Sequence, residues 1–304
     1  MSQRFAGTLC TLFTLAVLLW LGPAAAQDQA PFLWRIDGAR TTHYLLGSIH
    51  LLPESEAVLP AAYERALKAS DVVVFETDFD ALQEPDTQQR FLTAARAPMP
   101  GGLRGQLHAE TYHALSEHLG GLGLPAESFD SFKPWFVAMS LELLRYQRAG
   151  FAAEYGIDGR LFKRALDGGK TIEWLESVDQ QIHVLSGMGP AVEEAYLRAA
   201  IEEDQPSGPQ PETLLRIWRQ SDTAALAENI AEMKSDYPEI YLRVLSGRNA
   251  GWLANLRQRL DGRKPTMIVV GAAHLVGGDG LLQTLEADGY TPRPVEADMA
   301  PTQP

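Results

Sequence analysis

Two apolar runs that each end in Gly-x-x-His, one near each end of the chain, constrain the fold more than any other feature. The first is Leu45-Leu46-Gly47-Ser48-Ile49-His50, and the second is Val269-Val270-Gly271-Ala272-Ala273-His274. A short apolar run bounded by such a break reads as a strand with both faces buried. Gly supplies a backbone conformation that a residue with a Cβ resists, so the chain is expected to leave the sheet sharply at each. The imidazole then lies just beyond the strand tip, where open α/β sheets place their ligands. One such motif is a weak signal. Two on similar lead-ins, in a chain with seven histidines, tie both ends of the polypeptide to one expected sheet.

The segments between them follow from local pattern. Phe32–Ile36 alternates and ends at Asp37-Gly38, a hairpin signal, with Thr42–Leu46 as the return strand. Pro60–Leu67 predicts a helix with Leu59, Tyr63, Ala66 and Leu67 on one side. Asp71–Glu76 carries consecutive apolar residues and reads as a second buried strand, completing a β-α-β unit with a right-handed crossover. Helices are expected over Asp86–Ala97, Ala109–Leu119, Ser131–Ala149 and Tyr155–Leu166, then a strand over Lys170–Leu175. Val178 to Glu203 is helical with a break at Gly187–Pro190, and Asp204–Pro211 is a loop. Helices follow at Glu212–Arg219, Thr223–Lys234, Glu239–Leu245 and from Ser246 to Leu260; Thr266–Val270, Leu281–Ala287 and Thr291–Val295 close the chain. The expected fold is α/β: a mixed, largely parallel central sheet built from both ends of the chain, with a helix-rich insertion between.

Residues 1–26 have the pattern of a secretory leader. Arg4 is the positive end, Leu9 to Leu21 the apolar core, and Ala24-Ala25-Ala26 the small-residue cleavage site. The core is too short to span a bilayer. Residues 27–304 are then one α/β domain in an exported protein, periplasmic or secreted, with about 86–150 and 178–260 mainly helical. Cys10 lies in the leader and is the single cysteine, so the mature chain has no disulfide and no thiol nucleophile. The net charge of −13 becomes −14 on loss of Arg4, with no basic stripe. That balance argues against nucleic acid as a partner.

His50, Glu76 and His274 each sit at or just past the C-terminal end of an expected parallel strand. Any one alone suits a turn cap or a solvent-facing strand end. If the strands are neighbours, the three converge, and two imidazoles with a carboxylate suit a divalent transition metal such as Zn, Mn, Co or Fe. Asp78 is a further ligand or orients a histidine. Arg248, in the first turn of a helix with Trp252, Leu256 and Leu260 on its packing side, suits an oxyanion or a carboxylate. His108, His113 and His118 are spaced off one helical face and are assigned to solvent. His43 and His183 are assigned structural roles, and no serine lies in a nucleophile-elbow pattern.

Tyr44–Pro53, Phe75-Glu76-Thr77-Asp78 and Val270–Leu275 together resemble the TraB/GumN family, relatives of the Tiki peptidases. Gly156-Ile157-Asp158, Lys170 to Glu176 with Gln180, and Arg248-Asn249 with Trp252 extend the resemblance from about Phe32 to Val295. It implies a fold similar to the erythromycin-esterase and ChaN-like group and a catalytic set at His50, Glu76, Arg248 and His274. Asp158, Glu176 and Asn249 enter as supporting residues by the family pattern. The expected activity is metal-dependent hydrolysis, peptidase-like, on a peptide or small-molecule substrate. The metal is held by His50, His274 and Glu76, with Glu76 the general base if it is not a ligand. Alternatives are a periplasmic haem-, metal- or ligand-binding protein without turnover, or a non-enzymatic factor in polysaccharide export or signalling.

Overall fold

Val72-Val73-Val74-Phe75 offers water no polar side chain, and all four residues are buried. A strand of this kind is stable only inside a sheet covered on both faces. The structure, a computed structural model, describes residues 29–205 and 208–296. The expected leader at residues 1–26 lies outside the described residues.

Its strands are β1 (Gln29–Asp37), β2 (Thr42–Ser48), β3 (Leu52–Pro53), β4 (Val72–Phe75), β5 (Phe151–Ala152), β6 (Thr171–Trp174), β7 (Thr266–Gly271) and β8 (Pro292–Glu296). Six of them form one sheet in the order β6-β4-β7-β2-β1-β8, while β3 and β5 pair separately. β2, β7, β4 and β6 run parallel, and β1 is antiparallel to both β2 and β8. β7, from the far end of the chain, thus lies between β2 and β4. The mixed, largely parallel sheet expected from both chain ends is present, with helices inserted between. β6 is one edge and β8 the other, and Trp174 on β6 is 45 % exposed.

The helix-rich middle divides into two packing groups. Leu115, Leu119, Val137, Leu141, Leu197 and Ile201 form a satellite core of their own. Leu215, Ile217, Trp218, Leu226, Trp252 and Leu256 instead join the main core on the sheet. Helical periodicity shows that a face is buried but not what buries it.

The two motif glycines act differently from the expectation. Gly271 has φ −55° and ψ 139°, open to any residue, and a Cβ there meets only ordinary contacts, the nearest 3.4 Å away. A Cβ on Gly47 would stand 2.8 Å from Leu275 Cδ1 and 3.0 Å from Ala272 Cα. Close packing, not backbone freedom, therefore requires glycine at 47. Gly47→Ala is expected to lose about 1–3 kcal/mol through overpacking. Gly271→Ala should stay within about 0.5 kcal/mol of the wild type in denaturant unfolding. Equal losses would refute the distinction.

A second departure precedes Arg248. The two helices expected on either side of Ser246 are continuous: Pro238–Tyr241 runs through a π-helical turn at Leu242–Ser246 into Gly247–Leu260. The Gly247 N–H donates to Leu242 O, five residues back. A π turn adds one residue to a helical turn and so rotates the residues after it relative to those before. Arg248 and Asn249 follow directly.

Candidate active site

Strand register determines which side chains meet. Ser48 pairs with Gly271 across β2 and β7, and Phe75 pairs with both Val269 and Trp174. The Glu176 N–H donates to Glu76 O at 2.9 Å, keeping the two acidic residues side by side past the strand ends. A methyl built on Gly271 would lie 3.4 Å from Glu76 Oε1, 3.6 Å from His274 Cδ2 and 3.7 Å from His50 Nε2. The three residues singled out from distant parts of the sequence therefore surround one point.

Arg248 occupies the centre of the buried part. A guanidinium has five N–H donors in a fixed plane. Here Nη2 donates to Glu76 Oε2 at 2.5 Å and Glu176 Oε1 at 2.7 Å. Nη1 donates to His274 Nε2 at 3.0 Å and Val244 O at 3.2 Å, and Nε donates to Glu176 Oε1 at 3.1 Å. All five donors thus have an acceptor. The guanidinium carbon also lies 4.8 Å from the Trp252 ring centre, and the Trp252 indole N–H donates to Glu176 Oε2 at 3.1 Å. Arg248 is positioned as the organiser of two carboxylates, with no N–H left over for the oxyanion role expected of it.

Glu76 is engaged at both oxygens, since Oε1 accepts the Gly271 N–H at 2.7 Å. Burial opposes its ionisation, but His274, Arg248, His50 and the Gly271 amide outweigh burial and hold its pKa at about 2. A carboxylate that reluctant to take a proton is a weak general base.

The two histidines have opposite surroundings. His274 is buried, and its Nδ1 lies 2.7 Å from Asn249 Oδ1. The Asn249 amide N donates to the carbonyls of His274 and Asp279, which fixes its oxygen toward the ring. Nδ1 therefore carries the proton, and Nε2 offers its lone pair to Arg248. Burial first, and then the Arg248 charge, push His274 down to about 4 against the pull of Glu76.

His50 lies on the floor of a concave cleft with 66 % of its side chain accessible. Its Nδ1 is 2.8 Å from the buried Asp158 carboxylate, in the first turn of Ile157–Asp167. The Ser48 hydroxyl donates to the other oxygen of Asp158. Asp158, against the opposing cost of desolvation, raises His50 to about 9. Solvent at the open edge of the ring screens part of that attraction. Gly156 permits the arrangement, since a Cβ there would fall 2.2 Å from His50 O. Ser48 and Gly156 were not singled out for these roles; their only sequence signal is that each lies within two residues of His50 or Asp158.

A resident divalent ion would need donors of His50, Glu76 and His274 to share a point about 2 Å from each. Among the described residues, no three His, Cys, Asp or Glu side chains are grouped to hold a metal ion. The reason lies in the donor set: the fixed charge of Arg248 already faces the Glu76 and His274 lone pairs. In this arrangement the residues do not fit a resident metal.

Two further expectations change. Asp78 caps the helix Phe79–Gln83, accepting from the N–H groups of Asp80 and Ala81, and takes no part in the cluster. His118 is not in solvent: its side chain is 8 % exposed, with Nε2 3.0 Å from Asp204 Oδ2. The neighbouring turn of its helix, at Leu115 and Leu119, is packed in the satellite core and carries it inward. His108 and His113 are exposed as expected, and His43 is fully buried in β2.

The profile of the TraB/PrgY/gumN family matches residues 32–294. Proteins named "Uncharacterized protein YbaP" from Shigella flexneri and from Escherichia coli strain K12 are each 27 % identical over 251 residues, covering 82 % of this chain and 89 % of theirs. No solved structure matches the chain significantly.

Proposed function

This chain belongs to the TraB/PrgY/gumN family, and from that premise we propose that it is a hydrolase in which His50 activates water against a substrate carbonyl. One observation carries the reading: an imidazole whose Nδ1 is held by a buried carboxylate while 66 % of its side chain remains accessible at a cleft. A third group that orients a base and stabilises its protonated form is the usual support for proton transfer.

In the proposed step, the neutral His50 Nε2 takes a proton from water as the water oxygen bonds to the carbonyl carbon. Asp158 stabilises the imidazolium, whose charge balances the adjacent oxyanion. Collapse breaks the bond to the leaving group, which takes the proton from Nε2. The products are a carboxylic acid and an alcohol or amine. Arg248, Glu76, Glu176 and His274 form the rigid, ion-paired wall beside this step. The leader pattern at residues 1–26 supports an exported protein.

The metal implied by the family resemblance has no part in this step. Turnover is expected to survive exhaustive chelation, checked by elemental analysis of the same sample. Loss of activity with chelator and its return with Zn or Mn would overturn the scheme in favour of a metal centre.

A further inference from the structure

The cleft above His50 has a volume of about 420 Å³, within the range of small-molecule sites. Its floor, at the strand tips, contributes Ser48, His50, Arg248 and His274. Its walls come from the helices Pro211–Arg219 and Thr223–Asp236 and the π turn, through Leu214, Ile217, Leu226, Ile230, Met233 and Val244.

Most of the polar floor is already committed. The Ser48 hydroxyl is engaged with Asp158 and Val270 O. Arg248 has no unpaired N–H, and His274 Nε2 faces Arg248. The indole N–H of Trp218, on the wall, donates to Gly47 O at 2.9 Å. Among the described side chains of the lining, His50 Nε2 has no hydrogen-bond partner and faces a ligand, and Tyr146 adds one hydroxyl.

An extended peptide would bring an N–H and a C=O at each residue, and burying them against aliphatic walls without partners is costly. A hydrocarbon chain brings none. Met233 adds an unbranched, adaptable side chain suited to a flexible occupant.

We propose that the substrate is an aliphatic acyl ester or amide, its chain lying between these helices and its carbonyl at His50. The inference rests on the hydrolase reading for the reaction, but the pocket itself is tested by binding alone. The bond broken is that between the acyl carbon and the leaving oxygen or nitrogen, with solvent water as co-reactant.

The test pairs p-nitrophenyl esters of the C2 to C10 straight-chain acids with calorimetric titration of butanoate, octanoate and decanoate. We expect kcat/KM and the affinity of the carboxylates to rise about fourfold per methylene until the cleft is full. Ile230→Trp, which narrows the wall, should lower the C8-to-C2 ratio of kcat/KM at least tenfold. If that variant does not fold, the wild-type series decides alone. Length-dependent carboxylate binding without ester turnover keeps the acyl pocket and removes the hydrolase. Turnover lost in His50→Gln, with a flat response to chain length and no decanoate binding, keeps the hydrolase and overturns the pocket. Neither binding nor turnover overturns both.

Discussion

Arg248→Met is expected to destabilise the fold by about 3–5 kcal/mol, the scale for removing one partner of a buried ion cluster. Glu76 and Glu176 would be left side by side without the cation they share, and Glu176 would retain only the Trp252 indole among its side-chain donors. Methionine preserves much of the stem's packing, so the loss reports charge and hydrogen bonding more than volume. Denaturant unfolding of the variant, with the slope compared to the wild type, measures it. Adding Glu76→Gln and Glu176→Gln to Arg248→Met should recover part of the loss, because the stranded charges are then gone. A single variant as stable as the wild type would mean that the guanidinium does not hold this cluster together.

The second large effect concerns proton transfer. His50→Gln should lower kcat/KM by about 10²–10⁴, the usual worth of a positioned acid or base. The pH profile should have a particular sign. With His50 raised to about 9, the neutral base is a minor form at pH 7, so kcat/KM climbs about tenfold per pH unit and levels above about 9. Asp158→Asn removes the attraction that raises His50, and the rising limb should move toward lower pH. A limb that stays put in Asp158→Asn, or a rate that falls as pH rises from 7 to 9, would remove His50 as the base.

Stability runs the other way. A histidine whose folded pKa is raised contributes fully below its unfolded value near 6.5. That contribution is lost as pH rises through about 9. The protein should thus give up the His50–Asp158 attraction over the same range in which it gains activity.

Much of the architecture was legible locally. Tyr63, Ala66 and Leu67 are buried on one face of a helix, and Trp252, Leu256 and Leu260 on another, because a period near 3.6 requires it. The consecutive apolar residues of β4 required cover on both faces of the sheet, and all four are buried. Asp78 shows where such reading stops. Its position two residues after Glu76 fits a metal ligand and a helix N-cap equally well, and the decision belongs to the backbone that follows, whose N–H groups it accepts. His118 shows the same limit, since its spacing from His108 and His113 says nothing about Asp204, at the C-terminal end of another helix.

By itself the sequence determined where the strands of the main sheet and the longer helices lie, that both ends of the chain supply the sheet, and that His50, Glu76 and His274 stand at strand tips. These follow from short-range periodicity and turn chemistry, which act within a few residues of chain. Only the tertiary structure decided that β7 separates β2 from β4, that Arg248 commits all five donors to the cluster, and that His50 is left open above Asp158. Most of those depend on pairing between segments far apart in the chain, 172 residues for Arg248 with Glu76 and 108 for His50 with Asp158, where register and side-chain direction are fixed by packing rather than by neighbours in sequence.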